Sequence, residues 1–267
     1  MIFSKFKKLT LSTLEVQGWR IQRVPKKKKV LTVVDMLRPQ VAKMPLIRVG
    51  SAGDGGYLVP DDLSGIEALF SPGVGWVSGF EADCARRGMA VHMADASVDD
   101  VAGDIEGDWS FEKKFLGTRD EGQIITLDHW VRRRCPGTSD LLLQMDIEGA
   151  EYEVIASISS ELMQRFRYIV IEFHGLHELW EPHGGARHAA FEKLHRTHRS
   201  VHIHPNNCCP VKVKHGIDMP TVLEVTYARK DLVFPGRHVA KLPHELDASN
   251  VASIPEVFLS DLWVAGR

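Results

Sequence analysis

The sequence predicts an α/β fold: a mostly parallel seven-stranded sheet with helices on both faces and an antiparallel hairpin near its C-terminal end. Two observations predict it. After about residue 40, apolar runs alternate with helical stretches, and several runs are apolar on both faces, which is typical of strands in a sheet that helices cover on both sides. The last two runs have no evident helix between them and therefore predict an antiparallel pair.

The predicted elements follow one another through residues 67–228. Predicted strands cover residues 67–73, 90–96, 123–127, 140–146, 168–174, 200–205 and 221–228, and predicted helices cover 79–88, 128–134, 149–165 and 186–198. No repeat or long Pro/Gly/Ser linker divides this region. We therefore expect a basic N-terminal extension over residues 1–40 and a single domain over residues 41–267.

Bulk composition excludes several classes of protein. The formal net charge of -2 gives no general attraction to nucleic acid, so we expect no nucleic-acid partner. The adjacent Cys208 and Cys209 suit a disulfide framework poorly, and no secretion signal or membrane span is evident, so we expect a cytoplasmic protein. The sequence gives no indication of its oligomeric state.

The N-terminal arm mixes aromatic and basic residues. Phe3, Phe6 and Trp19 alternate with lysines and arginines, and the arm ends in the lysine run 26–29. Two interpretations are open: a solvated extension, or a peripheral contact with an anionic membrane, which would place the protein at the inner face of the membrane.

A glycine turn follows the first strand of the predicted sheet. Gly73 and Gly75 permit a tight turn and a close backbone approach, and Asp95 ends the next strand twenty residues later. A carboxylate at that spacing can accept hydrogen bonds from ribose hydroxyls, although Asp95 can also cap an ordinary turn. The pair indicates a nucleoside-bearing cofactor, either a nicotinamide dinucleotide or S-adenosylmethionine.

Acidic and imidazole groups end the later strands. Asp146 and Glu148 follow the run LLLQM, and the strand YIVIEFH brings Glu172 and His174 to the same edge on one face. The strand SVHIHP adds His202 and His204, and Asn206 and Asn207 follow it. Because the carboxyl ends of parallel strands meet at one edge, we expect these side chains to converge.

Such a group of side chains can remove a proton from a hydroxyl, orient it, or hold a divalent cation. Asp146 and Glu172 are the candidate ligands of Mg²⁺, with Mn²⁺ also compatible. The HIHPNNCCP stretch lacks the ligand spacing of a structural zinc site. We interpret Glu151 as a favourable charge in the first turn of a helix.

Two motifs carry a family resemblance. LLLQMDIEGAEYEVI (141–155) and YIVIEFHG (168–175) resemble the paired signature of the FkbM-type S-adenosylmethionine-dependent methyltransferases. Looser similarity covers about residues 45–232. The resemblance implies a Rossmann-like methyltransferase fold, S-adenosylmethionine as the methyl donor, and O-methylation of a sugar, glycan or related small molecule.

The resemblance also implies roles for individual residues. Ser71, Gly73 and Gly75 match the cofactor loop, Asp95 the ribose carboxylate, Asp146 the acidic end of the fourth strand, and Glu148, Glu172 and His174 the later motifs. Methyltransferases commonly open the glycine loop with an acidic residue, where this chain has Ser71; Glu81 or Asp54 could replace that acid. Tyr57, after the GDGG turn, could stack on a ligand or hydrogen-bond to it.

We therefore predict an O-methyltransferase whose acceptor is a small molecule or glycan. His174 is the expected general base, with His204 second, while Asp146 and Glu172 orient the acceptor or bind a cation, and Glu148 and Asn206 contact the substrate. Two other functions stay open. The glycine turn and Asp95 would also serve a nicotinamide-dependent oxidoreductase, and the basic arm would serve a non-catalytic glycan-binding protein with this fold.

Overall fold

A computed structural model of the chain describes residues 24–75, 78–101 and 105–264. The predicted membrane contact falls mainly on residues 1–23, which lie outside the described residues. Within the described part, no helix combines the length and apolar character needed to cross a membrane.

Fifteen strands and six α-helices form the described structure. The strands are β1 (Gln40–Ala42), β2 (Leu46–Gly50), β3 (Gly56–Pro60), β4 (Ala68–Pro72), β5 (Ala90–Ala94), β6 (Trp109–Glu112), β7 (Phe115–Gly117), β8 (Ile124–Thr126), β9 (Leu141–Met145), β10 (Phe166–His174), β11 (His198–Pro205), β12 (Val211–Lys214), β13 (Ile217–Pro220), β14 (Val222–Arg229) and β15 (Val233–His238). The helices are α1 (Lys27–Leu37), α2 (Gly79–Arg86), α3 (Leu127–Arg134), α4 (Glu151–Ser157), α5 (Ser160–Arg165) and α6 (Gly185–Thr197).

The central sheet has seven strands in the order β11-β14-β10-β9-β4-β5-β6. Neighbours from β10 to β6 pair in parallel, whereas β14 is antiparallel to both β10 and β11. The predicted α/β fold, with its mostly parallel sheet and antiparallel C-terminal hairpin, is confirmed. The carboxyl ends of β4, β9 and β10 lie at one edge, where ligands bind in open α/β sheets.

Two apolar layers cover the sheet. On one face, α1, α3, α4, α5 and α6 pack against residues such as Leu143 and Ile171. On the other face, α2 and the β2–β3 hairpin cover Leu69, Leu142 and Val170. Because side chains alternate along a strand, Leu142 and Leu143 belong to opposite layers. The hairpin face is covered by fewer elements than the other face. Polar side chains on the hairpin face can therefore line an open site.

Residues 27–37 of the expected N-terminal extension form a helix. Val30, Val33, Val34 and Leu37 recur at helical spacing, and all four are buried in the main apolar layer. The lysines of this helix remain at the exposed side. The domain boundary near residue 40 stays a prediction.

Three predicted elements differ from the structure. Residues 123–127 were expected in the main sheet, but β8 pairs with β7 in a separate two-stranded sheet. The seventh central strand is instead β6, a half-exposed edge strand without the apolar run that the prediction used. The predicted helix 149–165 is two helices, because the Ser159 hydroxyl accepts from the Leu162 N–H and begins α5.

The C-terminal segment (residues 239–264) lies across the polar ends of β11 and β14. The Asn207 side chain donates to the carbonyls of Val251 and Ile254 and accepts from the Val251 N–H. Asp247 of the segment lies 2.8 Å from His202, oxygen to nitrogen. These contacts hold the segment beside the sheet edge where the carboxylates lie.

Gly73 lies where the turns after β4 and β9 cross. Its φ is +86°, and a Cβ at this position would lie 1.4 Å from the Asp146 carbonyl oxygen. At Gly75, by contrast, no described atom lies within 4 Å of a Cβ, and no positive φ is required.

Substitution of these two glycines by alanine compares a position where the backbone requires glycine with one where it does not. We expect Gly73→Ala to lower the free energy of unfolding by roughly 3 kcal/mol or more, because left-handed backbone costs about 1–2 kcal/mol and overpacking about 1–3 kcal/mol. Gly75→Ala, the matched control, should change it by less than about 1 kcal/mol. Urea denaturation measures both values, and equal stability of the two variants would contradict the crossing.

Candidate active site

A cavity of about 210 Å³ opens between the glycine turn, the start of α2 and the GDGG turn. Gly73, Gly75, Glu81, Gln144 and Asp146 line it, joined by Asp54 and Tyr57 from the hairpin side. The charged side chains that line it within the described residues are all carboxylates. The cavity therefore favours a ligand with positive charge.

Ser71, at the end of β4, is buried in a chain of polar side chains. Its hydroxyl oxygen lies 2.5 Å from Glu81 Oε1 and 2.6 Å from Gln144 Oε1, and the Gln144 amide reaches the Tyr57 hydroxyl at 3.4 Å. A single hydroxyl proton serves only one of the two acceptors. A protonated Glu81 donating to Ser71 satisfies both contacts, and burial raises the pKa of Glu81 accordingly.

Asp95 directly follows β5, close to the predicted strand end, and is half-buried at the surface. Its Oδ1 accepts from the Ser97 N–H at 2.7 Å and from the Ser97 hydroxyl at 2.6 Å. The residue thus forms the capped turn that the sequence also allowed, and its ribose role stays a prediction.

His174, at the end of β10, lies among four carboxylates. Its Nδ1 is 3.1 Å from Glu151 Oε1, and its Nε2 is 3.5 Å from Glu148 and 3.8 Å from both Asp146 and Glu172. The carboxylates expected to converge with His174 therefore do so.

Glu151 fixes this imidazole. The side chain is fully buried, and Oε1 also accepts from the N–H groups of Ile147 and Gly149. Glu148, in the same turn, has a φ of +54° and an exposed side chain. Glu151 thus connects the turn after β9 to the ring of His174. This role is additional to the favourable helix-terminal charge that the sequence suggested.

A second acidic group lies on the hairpin side of the sheet. Glu172 pairs in register with Glu224 of β14, and Glu172 Oε1 accepts from the Asn206 amide at 3.1 Å. The Asn250 amide donates to Glu224 and to Asp54, the latter at 3.3 Å. The C-terminal segment thus contributes a side chain to this acidic group.

His204 is buried between two carboxylates. Its Nδ1 lies 3.2 Å from Glu224 and its Nε2 lies 3.2 Å from Glu256 of the C-terminal segment. Burial lowers the pKa of His204, but the Glu224 hydrogen bond and the nearby carboxylates outweigh it, so the pKa is raised. Each ring nitrogen therefore lies 3.2 Å from a carboxylate, closer than any carboxylate lies to Nε2 of His174.

Burial and charge crowding shift the site's ionisation. Burial raises the pKa of Asp146 to about 7, and burial together with Asp146 and Glu224 raises the pKa of Glu172 to about 9. Burial lowers the pKa of His174, but Glu151 and the surrounding carboxylates outweigh it and raise the pKa to about 9. At neutral pH the site retains protons that ordinary carboxyls and imidazoles would have lost.

Two groups of side chains have the spacing to hold a cation. One comprises Asp146, Glu148 and His174, and the other comprises Asp54, Glu172 and Glu224. The two predicted ligands, Asp146 and Glu172, fall in different groups.

Sequence reasoning missed Gln144, Glu224 and Asn250, and it gave Glu151 only the role of a helix-terminal charge. Gln144 and Glu224 had a readable signal, since Gln144 is the one polar residue of LLLQM and Glu224 is the one carboxylate of β14. Asn250 had none, because only the folded C-terminal segment brings it to the acidic group.

We expect Glu151→Gln to lower the pKa of His174 toward its ordinary value, because the substitution removes the charge on the nearest acceptor. Glu148→Gln, at an exposed position, should lower it less. Histidine NMR titration with a chelator present measures both pKa values.

The charged imidazole of His174 should also stabilise the folded protein. This contribution to the free energy of unfolding should be complete below about pH 6.5 and lost as the pH rises through about 9. An ordinary His174 pKa in the unsubstituted protein would contradict this.

Comparison with known proteins bears on the chemistry of this site. No curated protein matches the sequence. A solved structure of a TehB-like SAM-dependent methyltransferase from Corynebacterium glutamicum is 12% identical to this chain, with a TM-score of 0.34, and the match covers 86% of this chain and 99% of that one. That likeness is too distant to bear on function.

The family comparison is more specific. Residues 83–199 match the family model of the methyltransferase FkbM domain. The matched region contains Asp95, Asp146, Glu172 and His174. It therefore includes much of the sheet edge at the carboxyl ends of β9 and β10, where the carboxylates of the site lie and which we call the acidic edge. Both motifs that carry the predicted resemblance lie within the matched residues, so the resemblance to the methyltransferase FkbM domain is confirmed over this region.

Proposed function

We propose that this protein is an S-adenosylmethionine-dependent O-methyltransferase that acts on a hydroxyl of a sugar, a glycan precursor or a related small molecule. The observation that carries the proposal is the position of His174 and its carboxylates beside the acidic cavity of the glycine turn. The match of residues 83–199 to the methyltransferase FkbM domain supports methyl transfer and implies S-adenosylmethionine as the donor. Hydroxyl as the acceptor is our inference from the general-base chemistry available.

The residues of the cavity fit this donor. S-adenosylmethionine supplies an electrophilic methyl group on a sulfonium, and it also carries an ammonium. Carboxylates of Asp54, Glu81 and Asp146 match these positive charges, and the open Cα of Gly75 permits close approach. At about 210 Å³, the cavity is smaller than the roughly 300–1,000 Å³ of whole ligand sites. It therefore suits the charged part of the donor, with Asp95 assigned to the ribose.

Glu81 takes the place of the acid that this chain lacks at Ser71. Its carboxyl contacts the Ser71 hydroxyl and lies in the cavity wall. A ligand ammonium beside it would favour the ionised form, with loss of the proton that Glu81 holds in the free protein. The Ser71 hydroxyl then donates to the ionised carboxylate and keeps it oriented.

On the acceptor side, His174 receives the hydroxyl proton. Glu151 holds Nδ1, so Nε2 is the nitrogen directed toward Asp146, Glu148 and Glu172. Glu172, oriented by Asn206, and Asp146 align the hydroxyl, and alignment behind the methyl group supplies much of the rate. Because the pKa of His174 is about 9, only the protein molecules whose imidazole is neutral can accept the hydroxyl proton.

A divalent cation would relieve the charge crowding of the acidic edge. Oxygen-rich groups such as Asp54, Glu172 and Glu224 suit Mg²⁺, and Mn²⁺ is compatible with the group that includes His174. A bound cation would replace the protons that Asp146 and Glu172 retain at neutral pH.

Isothermal titration with S-adenosylmethionine and its demethylated product tests the donor directly. We expect binding of both, and Glu81→Gln should weaken it by about tenfold or more, because the cavity loses a charge that pairs with the ammonium. Glu153→Gln, an exposed glutamate of α4, removes the same charge without touching the cavity and should bind normally.

Repeating the titration with Mg²⁺ tests the cation site. Tighter binding of the donor is expected only if the acidic edge holds Mg²⁺. Absence of donor binding under both conditions would contradict the methyltransferase proposal, and a titration with reduced nicotinamide dinucleotide would follow. Donor binding without transfer to any acceptor would instead favour the non-catalytic alternative.

The pH dependence of methyl transfer tests His174. In an assay with labelled donor and a panel of sugars and glycans, we expect turnover to rise as the pH increases toward about 9, because the neutral imidazole is the base. His174→Gln should lower turnover by roughly 10²–10⁴-fold and abolish this rise while leaving donor affinity nearly unchanged. Unchanged turnover in that variant would remove His174 from the mechanism.

A further inference from the structure

Cys208 and Cys209 form an accessible dithiol in the turn that follows β11. The side chain of Cys208 is exposed and that of Cys209 is half-buried, and their sulfur atoms lie 2.9 Å apart. Adjacent residues of an extended strand point their side chains to opposite faces, so only a turn brings neighbouring thiols together. The fold has therefore already placed the two sulfurs for bond formation.

This turn is joined to both sides of the candidate site. The Cys208 N–H donates to Asn206 Oδ1 at 2.9 Å, and the Asn206 amide donates to Glu172. The next residue, Asn207, makes three hydrogen bonds to Val251 and Ile254 of the C-terminal segment. A change in the backbone at 208–209 thus acts on a candidate catalytic carboxylate and on the segment beside it.

A disulfide between adjacent residues is strained. Consecutive Cα atoms lie about 3.8 Å apart across a trans peptide, whereas disulfides usually join Cα atoms about 4.4–6.8 Å apart. Strain and exposure raise the reduction potential of a disulfide, and such bonds are the readily reversible ones. A bond here would therefore form under oxidising conditions and reopen with excess thiol, unlike a permanent structural crosslink.

We propose that Cys208 and Cys209 are a reversible modification site, which a small-molecule disulfide such as oxidised glutathione converts to a vicinal disulfide, releasing the hold of Asn207 on the C-terminal segment. The Cys209 thiolate attacks one sulfur of glutathione disulfide, forming a mixed disulfide and expelling one glutathione thiolate. Cys208 then loses its proton and attacks the Cys209 sulfur, which expels the second glutathione. Two cysteine thiols are oxidised and one glutathione disulfide is reduced to two thiols.

The order of attack follows from the environment. Although the Cys208 side chain is exposed, partial desolvation and the neighbouring Cys209 thiol raise its pKa to about 12, which makes Cys208 a poor first nucleophile toward a free disulfide. The second step is intramolecular, and the 2.9 Å separation of the sulfurs offsets the small thiolate fraction of Cys208.

The test equilibrates the full-length protein with mixtures of reduced and oxidised glutathione, followed by acid quenching, alkylation and peptide mass measurement. At oxidising ratios we expect the peptide that contains both cysteines to lose two hydrogen atoms and to take up no alkyl group. Excess reduced glutathione should restore both thiols. Cys208→Ser and Cys209→Ser should give at most a glutathione adduct, and the buried Cys84 and Cys135 are internal controls that should stay reduced.

Two free thiols or two glutathione adducts at every ratio would overturn the proposed modification. Hydrogen exchange of residues 247–257 tests its consequence: in the oxidised protein we expect exchange roughly tenfold faster, because hydrogen bonds that hold the segment are lost. The Cys208→Ser/Cys209→Ser double variant, treated with the same oxidant, should exchange at the reduced rate. Disulfide formation with unchanged exchange would overturn the coupling to the segment.

Discussion

The contact of Gly73 with the Asp146 carbonyl is the constraint on which the site depends. It joins the turn after β4 to the turn after β9, and the Asp146 N–H completes the crossing by donating to the Pro72 carbonyl at 3.2 Å. A side chain at Gly73 would separate the two turns. Because they stay together, the wall of the glycine-turn cavity and the carboxylates after β9 form one continuous surface.

Charge crowding is the second property of this surface, and it follows from the strand register. Glu172 and Glu224 are paired neighbours on β10 and β14, and His204 is the neighbour of Glu224 on β11. Ionisation of every carboxyl in such a row is unfavourable, and burial together with the neighbouring carboxylates raises the pKa of Glu172 and of nearby Asp146, so that protons reduce the charge. A cationic donor, a metal ion or an imidazolium can each replace those protons. The site is thus suited to bind positive charge and to respond to pH.

The sequence predicted the strand ends well because they depend on local pattern. The runs that became β4, β5, β9 and β10 are apolar and short, and the polar residues that follow them had to meet at one edge. Residues whose position depends on distant contacts were harder to predict. β6 is a half-exposed edge strand, and β8 has a strand-like pattern but joins β7, away from the central sheet. Nothing in the local pattern distinguishes these outcomes.

The same distinction applies within the site. His174 and Glu172 could be placed together because residues two apart on a strand share a face. The hydrogen bond of Glu151 to His174 depends on how α4 begins after the Glu148–Gly149 turn, whose positive φ values turn the chain back toward β10. A pattern of carboxylates in the first helical turn predicts a favourable charge, but it does not show which imidazole that charge will contact.

The C-terminal segment changes how the acidic edge should be understood. Asn250 reaches Asp54 and Glu224, while Asp247 and Glu256 pair with the imidazoles of His202 and His204. Two of these contacts place a carboxylate of the segment beside a buried imidazole, and Asp247 and Glu256 act with Glu224 to raise the pKa of His204 against the effect of burial. Asn207, next to the dithiol turn, adds neutral hydrogen bonds that do not depend on pH. Because charge pairs and neutral bonds hold the segment together, losing either one alone should loosen it without releasing it, and full exposure of the acidic edge requires both to be lost.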